Sequence, residues 1–307
     1  MTAVNCQHVT KTFNKGNALN DLSCTFAENT ITGLIGSNGA GKTTLLKIIA
    51  GFVMPTKGQV TVWAQKPFNN LQVSANSIMI DEKMVFSSSA SLEKIFNQAA
   101  IAYPNWDQTL ANNLLAYFSL DPKQFPHNLS KGMASTFRSI LGLCAHAPLT
   151  ILDEPTSGMD AAVRQDFYRM LLKDYMAHPR TIILSSHLVN EIEELIEDIV
   201  LIHQGTHILS APVSDMQSYA VMLTGKADTL SPLLKNKTIL YQETPLPNLL
   251  KVAVSNHFTD QEWQQMQALG IERSSVSANN LCIYLTKSKD KGGIDHVFEQ
   301  SIHPANH

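Results

Sequence analysis

The sequence predicts an α/β fold built on a parallel sheet covered by helices on both faces, followed by a small α+β domain. Three observations carry this. Residues 31–35, 149–152 and 181–184 are short, predominantly apolar runs without a charged residue, the pattern of strands buried on both sides. Segments of helical period lie between them. After Ala211-Pro212 the texture changes to a quick alternation of strand and helix signals.

In chain order, residues 31–35 lead into a Gly-rich loop and then Lys42 to Ala50, stopped by Gly51, which reads as strand, loop and helix. Residues 107–119 and 122–147, with Leu110, Leu114, Leu115 and Phe118 at helical spacing, form a mainly helical insert before the second strand. That strand ends in Asp153 and Glu154, and the third ends in Ser185-Ser186-His187. Chemistry in parallel sheets gathers at the carboxyl ends of strands, so the three polar ends define one site. Residues 200–210 read as a hairpin turning at Gln204-Gly205-Thr206. Beyond it, strand signals at 219–224, 238–243, 249–255 and 270–276 alternate with helical stretches at 227–234, 260–268 and about 279–285. A strand-helix-strand-strand-helix-strand order is that of a ferredoxin-like domain. The expected domains are 1–214 and 215–307.

A chain of 307 residues accommodates two domains of roughly 100–200 residues each. Its net charge of −3 supplies no basic excess to neutralise a nucleic-acid backbone, so no nucleic-acid partner is expected. Cys6, Cys24, Cys144 and Cys282 are far apart and read as reduced, mostly buried thiols. The first residues lack the basic start and apolar core of a signal peptide, and no apolar run reaches the roughly 18 residues of a spanning helix. A cytoplasmic protein is expected, with any membrane role supplied by a partner.

Gly36-Ser37-Asn38-Gly39-Ala40-Gly41-Lys42-Thr43 fits the phosphate-binding pattern G-x-x-x-x-G-K-[ST], with Thr44 next in line. Its glycines let backbone N–H groups turn towards phosphates, Lys42 reaches the β/γ oxygens, and the Thr43 hydroxyl can ligate Mg²⁺. Asp153, at the end of the neighbouring apolar strand, suits the Mg²⁺ shell. Glu154 suits the orientation or deprotonation of an attacking water.

Further motifs follow in order. Asn128-Leu129-Ser130-Lys131-Gly132-Met133 resembles the ABC signature, and Ile151-Leu152-Asp153-Glu154-Pro155-Thr156 the Walker B strand and its sequel. Ser157-Gly158-Met159-Asp160 is similar to the D-loop, and Ser185-Ser186-His187 to the segment bearing the switch histidine. Over about residues 1–215 the chain thus resembles the ATPases of ABC transporters, which implies a P-loop NTPase cassette that binds ATP with Mg²⁺. The resemblance also implies roles. Phe13 takes the place of the aromatic that stacks on adenine. Ser130 and Gly132 address the γ-phosphate of ATP held by an opposite subunit, in a homodimer or a heterodimer with a second cassette. His187 contacts that phosphate and holds Glu154. The implied partners are transmembrane permease subunits, with the chain peripheral to the inner face of the membrane.

Two departures stand out. Lys131 and Met133 replace the usual second Gly and Gln of the signature, and the Gln-loop position is acidic, in Ile80-Asp81-Glu82-Lys83. Asp81 is the first choice for that position, beside the metal, and Glu82 the second. An LSKGM-type signature with an acidic Gln loop is similar to export cassettes. The competing classes are a soluble cassette ATPase acting on ribosomes or nucleic acid and an ATP-binding regulator. A single phosphate loop, no sustained heptads and an acidic balance weigh against the first, and the presence of both Glu154 and His187 against the second.

Overall fold

The computed structural model describes residues 1–14 and 16–286; the end of the expected second domain, 287–307, lies outside the described residues. The chain divides into two compact units at Tyr219/Ala220.

The first unit opens with β1 (Thr2–Phe13) and β2 (Gly16–Ala27), then β3 (Ile31–Ile35), α1 (Lys42–Ile49) and β4 (Lys57–Val62). Next come α2 (Leu71–Ala75), β5 (Ser77–Ile80), α3 (Leu92–Ala102), α4 (Gln108–Tyr117) and α5 (Lys131–Cys144). It closes with β6 (Leu149–Asp153), α6 (Ala161–Ala177), β7 (Thr181–Ser186), β8 (Asp198–His203), β9 (Thr206–Pro212) and α7 (Val213–Tyr219). The central sheet runs β5-β6-β7-β3-β8-β9, parallel from β5 to β8 with β9 antiparallel at one edge. The β8–β9 hairpin turns through Gln204 and Gly205, both at positive φ, the geometry that matches strand twist in a two-residue turn.

A second sheet, β2-β1-β4, is antiparallel. The sequence reading did not assign it. One core joins Val4, Leu22, Phe26 and Val62 of this sheet to Leu45, Leu46 and Ile49 of α1 and to Ile151 and Ile183 of the central sheet. Helix α1 is therefore covered on two sides. Leu45, Leu46, Ile48 and Ile49 are each at most 1% exposed, and each such burial stabilises by about 1.5–3 kcal/mol. The helix that begins at the phosphate loop is thus rigidly seated. The helical insert between β5 and β6 comprises α3, α4 and α5, each started by a side-chain cap from Ser91, Asp107 and Ser130 respectively.

The second unit contains β10 (Ala220–Lys226), α8 (Ala227–Leu230), β11 (Ile239–Leu246), β12 (Leu249–Ser255), α9 (Asp260–Ala268), β13 (Glu272–Ser275) and α10 (Ala278–Thr286). Its sheet is antiparallel throughout, in the order β11-β12-β10-β13, which places the first strand centrally as in the split βαβ arrangement. Val221, Leu223, Leu230, Val252, Val254 and Met266 form its own core.

The units part five residues beyond the expected boundary of 214. The reason is α7: its Val213 N–H donates to the Glu197 carbonyl at 2.8 Å, and Met216 is fully buried. A chain ending at Tyr219 is accordingly expected to unfold cooperatively by itself, as read by thermal circular dichroism. Loss of a cooperative transition would mean that residues after 219 complete the first core.

Candidate active site

The phosphate loop joins β3 to α1. Gly41, the residue before the helix, has φ +105°, and a Cβ on it would lie 2.6 Å from the Ala18 carbonyl oxygen. Only glycine tolerates both conditions. The loop consequently folds back over the start of α1, where unpaired N–H groups and the helix dipole favour an anion. Ser37, Asn38 and Gly39 are exposed on the loop, while Gly36 and Ala40 are buried beneath it. Thr44 is half-buried in the first turn of α1.

Lys42 is 6% exposed, and a buried ammonium requires partners. Its Nζ donates to the Gly36 carbonyl at 2.6 Å and lies 3.1 Å from Glu154 Oε1. Thr43 Oγ1 donates to Asp153 Oδ2 at 2.6 Å, so a hydroxyl and a carboxylate from two separate elements meet. All-oxygen donors of this kind suit a hard cation, and Thr43 and Asp153 fit Mg²⁺.

Asp153 is paired in register with Ser185 across β6 and β7. Ser185 Oγ donates to Asp153 Oδ1 at 2.6 Å and accepts the Glu154 N–H at 2.9 Å. One serine thus orients both acidic residues. Sequence reasoning missed it, although it lies two residues before the histidine that was singled out. Glu154 leaves the strand at φ +49°, and its Oε2 lies 2.8 Å from His187 Nδ1. Its buried Oε1 accepts no hydrogen bond among the described residues, with Lys42 as its ionic neighbour.

The other expected site residues occupy their own places. Phe13 ends β1 at 49% exposure and borders, with Thr12, Asn17 and Ala18, a groove of about 600 Å³. An aromatic so exposed is not serving the core. Ser130 caps α5 by accepting the Met133 N–H at 3.3 Å. A Cβ on Gly132 would lie 2.7 Å from the Gly158 carbonyl oxygen, so the start of α5 and the segment 157–160 are in backbone contact.

Lys131 also lies over Gly158, and its Nζ is 2.9 Å from Glu82 Oε1. The Lys131 ammonium holds the Glu82 carboxyl below its ordinary range. Asp81, expected beside the metal, has its carboxylate 3.3 Å from Lys47 Nζ on α1. Two lysines therefore pair with the two carboxylates that follow β5. The Thr43–Asp153 pair, and not Asp81, is where the described geometry joins two oxygen donors from different elements.

The family described as ABC transporter matches residues 19–157, a span that includes the phosphate loop, Ser130, Gly132, Asp153 and Glu154. The ABC transporter ATP-binding protein YtrB of Bacillus subtilis (strain 168) is 26% identical over 192 residues, or 62% of this chain and 66% of that protein. Nod factor export ATP-binding protein I of Rhizobium johnstonii is 28% identical over 215 residues, 67% of this chain and 68% of its own length. Much longer relatives are matched over 8% of their length. A dimeric, post-hydrolysis ATP-binding cassette bound to ADP and Pi superposes with a TM-score of 0.59 at 20% identity, covering 68% of this chain and 98% of that one. The fold of the first unit is that of the P-loop cassette.

Proposed function

We propose that this chain, which carries an ABC transporter ATP-binding domain, binds MgATP and hydrolyses it to drive a separate transmembrane permease. The observation that carries the reading is the Glu154 carboxylate, held between Lys42 at 3.1 Å and His187 at 2.8 Å beside a phosphate loop. Loop N–H groups and the Lys42 ammonium meet the negative charge of the phosphates. Thr43 and Asp153 would hold Mg²⁺, whose charge offsets that of the β- and γ-phosphates when it is bound.

Glu154 orients the attacking water and accepts its proton as the water oxygen bonds to the γ-phosphorus and the bond to the ADP oxygen breaks. His187 keeps the carboxylate aimed, and Ser185 fixes both the Glu154 backbone and the Asp153 side chain. Phe13 stacks on the adenine. Ser130 and Gly132 act on nucleotide bound by the opposite subunit, so the working unit is a pair of cassettes, either two copies or this chain with a second one. Asp81 fills the Gln-loop position, with Glu82 beside it.

No described helix is long and apolar enough to cross a membrane. The proposed location is the cytoplasmic face of the membrane, reached through the permease. The LSKGM-type signature and a relative named for Nod factor export support outward transport. The second unit contributes an interface or a regulatory module.

Lys42→Ala tests the nucleotide assignment directly. A charge-assisted contact is worth about 1.5–3 kcal/mol, so ATP affinity is expected to fall roughly 10- to 100-fold in calorimetric titration. Unchanged affinity in a variant that still unfolds cooperatively would remove the phosphate-loop role and the proposed function with it.

A further inference from the structure

A second cluster of functional side chains joins the end of α5, the end of α6 and the start of β7. His146 follows α5 at φ +43°. Its Nδ1 lies 3.2 Å from the Asn105 carbonyl oxygen, and its Nε2 lies 2.7 Å from Asp174 Oδ1. A neutral imidazole has one proton for these two acceptors. Whichever nitrogen carries it, the other faces an oxygen without one. A cation, either a second proton or a metal ion, resolves the conflict.

His178 distinguishes the two. It stands one helical turn after Asp174, and its Nδ1 lies 3.5 Å from the same Oδ1. The two imidazole rings are 4.4 Å apart. A proton between His146 and Asp174 accounts for that short contact but not for His178, whose Nδ1 stands 3.5 Å from the same oxygen, at the outer limit of a hydrogen bond. Protonating both rings sets two like charges against each other. One divalent cation satisfies both rings and the carboxylate, and the three ligand atoms already lie within 4.8 Å of one another.

We propose that His146, Asp174 and His178 form a binding site for a zinc-class divalent cation, separate from the nucleotide site. Two imidazoles and a carboxylate suit zinc, whereas Mg²⁺ favours an all-oxygen shell. Bonds of about 2.0–2.1 Å place tetrahedral ligand atoms roughly 3.4 Å apart. The His178–Asp174 separation of 3.5 Å already has that value; His146 has to withdraw from Asp174 by about 0.7 Å, and the two imidazole nitrogens, within 4.8 Å of each other, have to take up the same spacing.

The outer partners follow the pattern of metal-bound histidine and carboxylate. The Asn105 carbonyl receives the His146 Nδ1 proton, freeing Nε2 as a ligand. Arg180 Nη2 lies 2.8 Å from Asp174 Oδ2 and leaves Oδ1 for the cation. Arg180 is itself held by the Leu143 carbonyl and Thr150. His146 and His178 line a groove of about 790 Å³ shared with Trp106 and Asp107, which gives the ion a route from solvent and leaves its fourth position to water. Bound there, the cation ties the end of α5 to the end of α6.

The test is a titration of chelator-treated full-length protein with Zn²⁺ against a chromophoric competitor, with Mg²⁺ run in parallel. One equivalent of zinc is expected to bind, with no competition from Mg²⁺, and the affinity is expected to fall at least ~100-fold in both His146→Gln and His178→Gln. His178 is exposed, so its replacement leaves the fold and the zinc-free ATPase rate unchanged and provides the decisive arm. If wild type takes up no zinc at micromolar concentration, or if His178→Gln retains the wild-type zinc affinity, the cluster is held by a proton and the metal site is refuted.

Discussion

Replacing Glu154 by Gln is expected to reduce ATP turnover by about 10³-fold or more while leaving ATP affinity within a few-fold of wild type. General base catalysis contributes typically 10²–10⁴-fold, and about 4 kcal/mol of barrier corresponds to 10³. The amide matches the carboxylate in shape. Its oxygen can face Lys42 and its NH₂ can face His187 Nδ1, so the arrangement at 3.1 and 2.8 Å is preserved while the capacity to take a proton from water is lost. The backbone is fixed independently, by the Glu154 N–H donated to Ser185 Oγ at 2.9 Å. Single-turnover and steady-state hydrolysis, paired with equilibrium ATP binding, separate the two effects. Hydrolysis near the wild-type rate would exclude Glu154 as the base.

The parts of this site that were legible in the sequence are those in which local chemistry forces the structure. A Gly at φ +105° followed by Lys and Thr at a helix start leaves few alternatives. The strands β3, β6 and β7 are buried along their whole length, so their sequences are short runs dominated by apolar residues, broken only by Thr or Gly before the polar ends of β6 and β7. The sheet formed by β1, β2 and β4 did not read that way. Its strands alternate buried and exposed positions, and bulges between Cys6 and Val9, with His8 and Asp21 at positive φ, break the period of two on which recognition depends. Strand β5, four residues long, is too short to carry a pattern.

Long-range partners were not legible either. Ser185 meets Asp153 because β6 and β7 are adjacent and in register, and nothing in either segment announces that pairing. The His146–Asp174–His178 cluster joins residues 28 apart that come together only when α5 and α6 end side by side. Lys131 is the converse case. Its departure from the usual signature is visible in the sequence, but its pairing with Glu82 required the fold.

The second large effect concerns the signature, because it separates a two-subunit ATP sandwich from a monomeric phosphate-loop ATPase. Ser130 is exposed at the start of α5, and its one described role within its own subunit is the helix cap. Losing that cap costs about 1 kcal/mol, too little to unfold a helix that buries Phe137, Ile140 and Leu143. Ser130→Arg therefore leaves the fold and the subunit's own phosphate loop intact, with ATP affinity of the monomer within a few-fold of wild type. In a sandwich, however, the Arg side chain projects into the closing interface, where ATP favours the closed state because only there does it touch both subunits. Size-exclusion chromatography of Glu154→Gln with ATP is expected to show a dimer that disappears when Ser130→Arg is added. Ser130→Arg alone is expected to hydrolyse ATP at least ~10²-fold more slowly than wild type, since the donors at the start of α5 no longer reach the partner's nucleotide. A double variant that dimerises as well as the single one, together with normal hydrolysis by Ser130→Arg, would place the signature outside the ATP interface and leave the phosphate loop, Asp153, Glu154 and His187 to act within one subunit.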